Sequence, residues 1–479
     1  MAFKLLPDGE HMHSLTRTIV HFSHSLSSKD LTSEVTQQCR YLLLDYLGAS
    51  IAGSQTDSSQ AVYRMLSHSA APGPCTVIGT ASRTSVEYAA LANGTAAHGV
   101  ELDDTHQAGS IHLGVVMFST AIALSEILPD VDADRFFTAV VAGYEVAARL
   151  GIAVQPKHHY ELGFHPTATC GVFGAVVTAA KLMRLDEEQM LSAVGIAGSM
   201  AAGSLEFLAD GAWTKRLHPG LAAQNGILAA RLAAAGFRGP GTILEGRDGF
   251  LSAYSRKALP ELVTQDLGQT FEILRTSIKP HACCRYLQSP IDGLIELATT
   301  HNIFPEQVER VEVAVLEAGW PLVCEPQARK YSPSNTVDAQ FSMPYGAAVA
   351  LTDRAAGLDQ FSGDSFHSPE IKSLMGKVVM VKDNRIEKNF PVEWPAHVRI
   401  YLKDGREFDQ FIRFPKGDPE NPLSWEELSA KFRSLATRAL SQERCEQINQ
   451  AVLEINSAHD VRDFWKLTAT AAPAASASN

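Results

Sequence analysis

From about Thr16 to residue 236 the chain repeats one kind of segment: apolar, rich in Ala and Gly, and spaced for helices. Ile19, Val20, Phe22 and Leu26 recur at helical intervals. Ser27-Ser28-Lys29-Asp30 breaks that run, and Cys39, Leu42, Leu43, Tyr46 and Leu47 mark one face of a second helix. Further helices are expected at 57–67, 85–98, 114–128, 132–152, 169–184, 187–202 and 219–236. Small residues along a face let helix backbones approach closely. So many segments in succession require an all-α body larger than a four-helix bundle. Cys75-Thr-Val-Ile-Gly, a short apolar run between turns, reads as a small strand.

The pattern changes near residue 260. Residues 308–316 alternate apolar and charged side chains, as do 377–382 and 398–402, and Lys403-Asp404-Gly405-Arg406 reads as a hairpin turn into 407–413. Helices intervene at 287–300, 341–352 and 369–375. From Ser424 helical spacing returns, with Leu428, Phe432, Leu435, Ala436 and Leu440 on one face. The expected fold class is therefore mainly α. A large helical domain (1–262, rejoined by 419–467) is interrupted by a smaller α+β domain (263–418), and an Ala/Ser-rich tail (468–479) is expected to be disordered.

With 45% hydrophobic and 20% charged residues among 479, the chain can bury a large core. A net charge of −12 and the lack of a basic run argue against nucleic acid as a partner. No stretch reads as a membrane span, and the N-terminal segment lacks the apolar core of a secretory signal. Seven cysteines, an odd number without CxxC spacing, point to a reducing compartment: cytoplasmic by default, with a mitochondrial location left open. No GxGxxG after a strand, no P-loop and no GxSxG is present, so nicotinamide, ATP and serine-hydrolase chemistry lack their signatures.

Chemistry concentrates in a few segments. His98-Gly-Val-Glu-Leu-Asp-Asp-Thr-His106, continuing to His112, places three acids and three histidines within fifteen residues, flanked by apolar helices. Such groups are costly beside buried helices unless paired or used; an acidic surface turn is the plain alternative. The spacing matches no established metal pattern, so no metal is expected. His165, held extended before Pro166, would sit just ahead of a helix and could act as acid or base. Lys215, Arg216 and His218 crowd cations into four residues of an acidic chain, and His218-Pro-Gly opening a helix would offer backbone N–H groups to a carboxylate. Lys279 and Arg285 flank Cys283-Cys284 and suit carboxylate binding better than a thiol nucleophile. Tyr331 lies in a polar loop that starts a helix and could donate or take a proton, where many such tyrosines only pack.

Five pieces in order resemble the MmgE/PrpD family: Asn93-Gly94 with His98 to His112, Gly163-Phe-His-Pro-Thr, Thr214-Lys-Arg-Leu-His-Pro-Gly, Ile278-Lys-Pro-His-Ala-Cys-Cys-Arg, and Tyr331 with Asp338-Ala-Gln-Phe-Ser. The resemblance runs from about Thr16 to Leu467. It implies a helical domain with an α+β lid, a homodimer, no organic cofactor, and a site between the domains. Its members dehydrate 2-methylcitrate, decarboxylate cis-aconitate or epimerise iminodisuccinate. Carried over, it assigns catalytic roles to Glu101, Asp104, His112, His165, Lys215 and Tyr331, and substrate-binding roles to Thr105, His218, Lys279, Cys284 and Arg285. Asp103 takes a structural role. Glu-Leu-Asp-Asp at 101–104 resembles the fungal decarboxylase form, while Cys284 stands about where the decarboxylase branch has a His. The expected function is a cofactor-independent lyase on a di- or tricarboxylate, leaning to cis-aconitate decarboxylation. A cationic pocket would stabilise charge developing beside a carboxylate. Alkylcitrate-type dehydration, epimerisation and a non-catalytic dimeric binding protein are the competing readings.

Overall fold

Helices Val86–His98 and Thr214–Ala234 meet backbone to backbone. A Cβ on Gly94 would stand 2.8 Å from the Cα of Gly220, so neither glycine can carry a side chain without parting the two helices. This contact sets His98 and Lys215, near the facing ends, beside one another. Asn93, one residue earlier, turns the other way: it accepts a hydrogen bond from the Ile78 N–H (2.9 Å) and donates to the Thr76 carbonyl (3.0 Å). That fixes the two-residue strand Cys75–Thr76, which pairs antiparallel with Arg83–Thr84.

The computed structural model describes residues 14–69, 72–363 and 365–470. The fold is mainly α, with the expected helices present within a few residues of their sequence bounds. The exception is the helix expected to open at 219. It starts at Thr214 and carries Pro219 inside it. Lys215, Arg216 and His218 are therefore helical, and the expected anion-binding N-terminus at His218-Pro-Gly does not exist.

Helix Ala133–Ala153 is long and apolar enough to cross a membrane, which the sequence reading overlooked. It is a core helix: 94% of its apolar stretch is buried, and it carries the ion pair of Glu145 with Arg149 at 3.0 Å.

Apolar residues from Ile19 to Ile278 form one core, rejoined by Leu423 to Trp465. Trp465 packs on Phe136 and donates to the Ser125 hydroxyl at 2.7 Å. Helix Trp425–Ala436 starts with a capping box of Ser424 and Glu427, a device worth about 1 kcal/mol. A second core gathers Ala282 to Leu402 and reaches back to Ala49, Ala52, Val100 and Leu102. It surrounds a four-stranded sheet in the order 378–381, 308–314, 396–402, 407–412, whose first pair is parallel and the rest antiparallel. The two cores meet at the loop after His98. There Thr105–His106 pairs antiparallel with Thr276–Ser277, and the Gln340 side chain donates to the carbonyls of Val100 (3.3 Å) and Ala282 (3.1 Å).

Residues 468–470, expected to belong to a disordered tail, are tied to the turn at 79–80. The Gly79 N–H donates to the Thr468 carbonyl (2.9 Å) and the Thr470 N–H to the Thr80 carbonyl (3.0 Å). The rest of that expectation, residues 471–479, lies outside the described residues.

Candidate active site

The segment His98–His112 is not a surface turn. His98, Glu101, Asp103, Asp104, His106 and His112 are all buried. Glu101 takes a left-handed backbone (φ +57°), an uncommon state for a residue with a side chain. That turn sends its carboxylate to Lys215 on the 214–234 helix and to Lys279, 3.7 Å away. Burial opposes its ionisation, yet the two lysines outweigh it and hold the pKa near 2.

Adjacent acids then part company. Asp103 faces inward. It accepts from His98 Nδ1 (2.7 Å), lies 3.2 Å from His112 Nδ1 and 3.5 Å from Lys279 Nζ. These neighbours overcome burial and hold it well below the usual carboxylate range. Asp104 faces away. Both its oxygens accept from the Gly114 N–H (2.9 and 3.1 Å), at the start of helix Gly114–Ser125, and one also accepts from the Tyr144 hydroxyl (2.8 Å). Of the two acids it is Asp103, expected to be structural, that faces the histidines, while Asp104, expected to be catalytic, is held at a helix N-terminus outside the cavity.

A prediction follows for Asp104. Burial, reinforced by Asp103 and Asp45 against the Tyr144 and Gly114 bonds, raises its pKa to about 7. The unfolded value is about 3.9. A carboxyl raised in this way stabilises the fold below its unfolded pKa and loses that contribution as pH rises through about 7. The Tm of Asp104→Asn should fall less between pH 5 and pH 8 than that of the native protein, with kcat retained. Thermal melts at both pH values and one steady-state assay check this; loss of turnover without loss of stability would return Asp104 to the catalytic set.

His112 is locked in one tautomer. Its Nδ1 lies 2.8 Å from the Asp104 carbonyl, which can only accept, so Nδ1 carries the proton and Nε2 is left with a lone pair. The Thr105 hydroxyl, 3.2 Å from the same Nδ1, steadies the ring. Burial depresses the His112 pKa to about 3, with Lys279 and Lys215 adding to it against Asp103. His98 has the same arrangement, Nδ1 on Asp103, and its Nε2 is buried with no partner among the described residues. His165, the extended residue before helix Pro166–Thr169, brings its Nδ1 to 3.1 Å from Nδ1 of His218. Burial pushes the His165 pKa well down, and His218 to about 4.

A cavity of about 50 Å³ is lined by Glu101, Thr105, His112, His165, Lys215, Cys284 and Arg285, with Ser110, Tyr160, Tyr286, Leu205, Phe207, Leu322 and Phe341 around them. Seven of the eleven residues expected in the site line it. Lys279 stands behind the wall, fully buried and paired with Glu101 and Asp103, so it supports those acids in place of touching a substrate. Tyr331 is elsewhere: its hydroxyl donates to the Val378 carbonyl at 2.6 Å on the small sheet. Arg285 lines the cavity with its Nη2 held by Asp418 at 2.6 Å and its guanidinium over Trp394. Burial pushes the Cys284 thiol up, away from thiolate chemistry. His98 and Asp103, which sequence reasoning left outside the site, back the histidines. Their signal was the spacing of a helix-ending His and an acid five residues on.

His98, His112 and His165 offer ring nitrogens within 4.8 Å of one another. A tetrahedral zinc site sets its nitrogens about 3.3 Å apart, so these rings would have to close in to hold one. What the cavity can do as it stands is proton chemistry: a lone pair at His112 Nε2, a His165–His218 pair, and lysine charge held against Glu101. Each lysine and Arg285 already has a carboxylate partner, so the pocket is close to electroneutral, unlike the cationic pocket expected from sequence.

Two family models match the chain: the MmgE/PrpD N-terminal domain over residues 17–262 and the MmgE/PrpD C-terminal domain over 281–455. Among curated proteins it is similar to the cis-aconitate decarboxylase-like protein oryM of Aspergillus oryzae (27% identical, spanning 96% of this chain and 98% of that one). It is also similar to cis-aconitate decarboxylases of Aspergillus terreus (26%, spanning 96% and 97%) and Homo sapiens (26%, spanning 98% and 97%). With both halves matched, the chain belongs to the MmgE/PrpD family.

Proposed function

We propose that this chain is a lyase acting on a citrate- or aconitate-like polycarboxylate, with decarboxylation of the cis-aconitate type as its reaction. The observation that carries the reading is that Lys215, paired with Glu101, lines the same cavity as His112, whose Nε2 keeps its lone pair. A substrate carboxylate entering there competes with Glu101 for Lys215 and adds negative charge beside His112 and His165. That charge raises their proton affinity and readies one of them as an acid. The C–C bond to the departing carboxylate then breaks, CO2 leaves, and the electron pair spreads toward the carboxylate held at Lys215. Protonation of the carbon by the imidazolium completes the turnover. The relatives named as cis-aconitate decarboxylases support this reading along nearly their full length.

One observation favours a second reading. In the empty cavity His112 is an unprotonated base, which suits removal of an acidic C–H followed by loss of hydroxide, as in alkylcitrate dehydration. Purified protein incubated in deuterated water with a panel of di- and tricarboxylates, followed by NMR, separates the two. Decarboxylation yields CO2 and one deuterium on carbon, at the former carboxylate-bearing position or, where the double bond shifts, at the other end of the allylic system. Dehydration yields an alkene without CO2, and deuterium exchange with neither marks an epimerase. The absence of all three across the panel would sink the lyase reading.

A further inference from the structure

Three buried imidazoles, from elements far apart in sequence, gather at one wall of the cavity. The ring centroids of His98 and His112 are 4.9 Å apart, those of His98 and His165 5.9 Å, and those of His112 and His165 6.3 Å. One ligand nitrogen from each lies within 4.8 Å of the other two. Imidazoles bound through one nitrogen to a tetrahedral zinc, with Zn–N about 2.0–2.1 Å, have ring centroids about 5.2 Å apart. The rings are thus within about 1 Å of the spacing a zinc ion imposes, and small rotations would bring the nitrogens in.

Each ring is held at Nδ1, which leaves Nε2 to bind. Asp103 lies 2.7 Å from His98 Nδ1 and 3.2 Å from His112 Nδ1, and the Asp104 carbonyl lies 2.8 Å from the latter. His165 Nδ1 is 3.1 Å from His218 Nδ1. A carboxylate or carbonyl accepting from the outer N–H is the common support of a zinc-binding histidine, because it fixes the tautomer and raises the basicity of the other nitrogen. The sharper observation is His98 Nε2. It is buried with no partner among the described residues, and an unsatisfied buried nitrogen is costly. Proton transfer at His112 does not use it. Three neutral nitrogens suit zinc, copper or nickel, whereas calcium and magnesium take oxygen. Lys215 and Lys279 are offset by Glu101 and Asp103, so no net positive charge bars a cation.

We propose that His98, His112 and His165 form a reversible inhibitory site for a zinc-class divalent cation. The ion takes the His112 Nε2 lone pair by coordination and so blocks proton transfer there. The rings bind as neutral imidazoles, so they release no proton, and water fills the remaining position. His165 is the ring that moves: it sits on the extended turn ahead of helix Pro166–Thr169, whereas His98 and His112 are both tied to Asp103. Binding stands apart from the lyase reading; inhibition rests on it.

The test uses the full chain, stripped with a chelator and free of polycarboxylate, because such acids themselves bind zinc. Calorimetry with zinc chloride should show saturable binding of one ion per chain. Cobalt(II) in its place should give the strong visible bands of a four-coordinate ion, without a thiolate charge-transfer band. X-ray absorption on the zinc-loaded native protein should show three imidazoles at about 2.0–2.1 Å. Asp103→Asn, which removes only outer support, should weaken binding by about 10- to 100-fold, and His98→Gln by more. Product NMR at buffered free zinc should show turnover falling in step with occupancy and returning on chelation. The absence of saturable binding overturns the proposal, as does a thiolate band, which would put the ion at Cys283 and Cys284. Fewer than three imidazoles in the absorption spectrum overturns it, and so does unchanged affinity in His98→Gln. Should a variant fail to fold, the spectra of the native protein decide. Full turnover at full occupancy overturns the inhibitory role. If no compound is turned over, the lyase reading fails, while the cobalt and absorption spectra still decide the site.

Discussion

His112→Asn is expected to lower kcat by about 10²- to 10⁴-fold, the range that a positioned acid or base contributes, while leaving the Tm close to native. Asn is the informative choice. Its side-chain NH2 can keep the donation that His112 Nδ1 makes to the Asp104 carbonyl, and it supplies nothing at the position of Nε2. Little stability is at stake, because the imidazole is neutral and its one firm bond is preserved. Product NMR for turnover and a thermal melt for fold check the two halves. A variant that melts normally and turns over at more than a tenth of the native rate would remove His112 from proton transfer. The pH profile gives a further check. The free-enzyme His112 pKa sits near 3, and decarboxylation uses the imidazolium, so kcat/KM should fall steadily as pH rises from 5 to 8, by about tenfold per unit; a flat profile would mean that the neutral base is the active form, as the dehydration reading requires.

The parts of this molecule that were legible in the sequence are those fixed by local periodicity. The helix that buries Leu42, Leu43 and Leu47 and the strand at 308–314 declare themselves within a dozen residues. Pro219 misled because Pro usually opens a helix. Here it sits in the second turn, and Gly220 beside it is needed for the close approach to Gly94, a demand made by a helix more than a hundred residues earlier. Within the site, clustering in the His98–His112 stretch marked the right region. It could not say which acid faces in. Asp103 and Asp104 have the same chemistry and point opposite ways, and the choice is made by where the next helix begins, at Gly114. Lys279 and Tyr331 were legible as polar groups near the right elements. Their partners, Asp103 and the Val378 carbonyl, are set by tertiary contacts that no local spacing reveals.

Lys215→Met should be the most damaging single change for both fold and activity. It strands Glu101, a buried carboxylate, with only Lys279 at 3.7 Å, and breaking a buried pair from one side costs about 3–5 kcal/mol. Adding Glu101→Gln removes the stranded charge. The double variant should therefore recover most of the lost stability, since a buried pair replaced as a unit by neutral groups is often close to neutral in energy. Activity should not return with it, because the cation that receives the substrate carboxylate is gone. The pH dependence fixes the sign. The Glu101 pKa near 2 is depressed below its ordinary value near 4.3, so the pair contributes stability above the unfolded pKa and loses it as pH falls through the folded one. Native protein should lose this share of its stability between about pH 5 and pH 2, and the double variant should not. Denaturant unfolding of the four members of the cycle at pH 7 and pH 4, with product NMR on each, measures both. Activity restored in the double variant would show that Lys215 serves only to neutralise Glu101. A single variant as stable as native would show that Glu101 is not held by it. If neither is found, Lys215 is held in its neutral pair until a substrate carboxylate takes the place of Glu101, so that charge is exposed in the cavity only when there is substrate to use it.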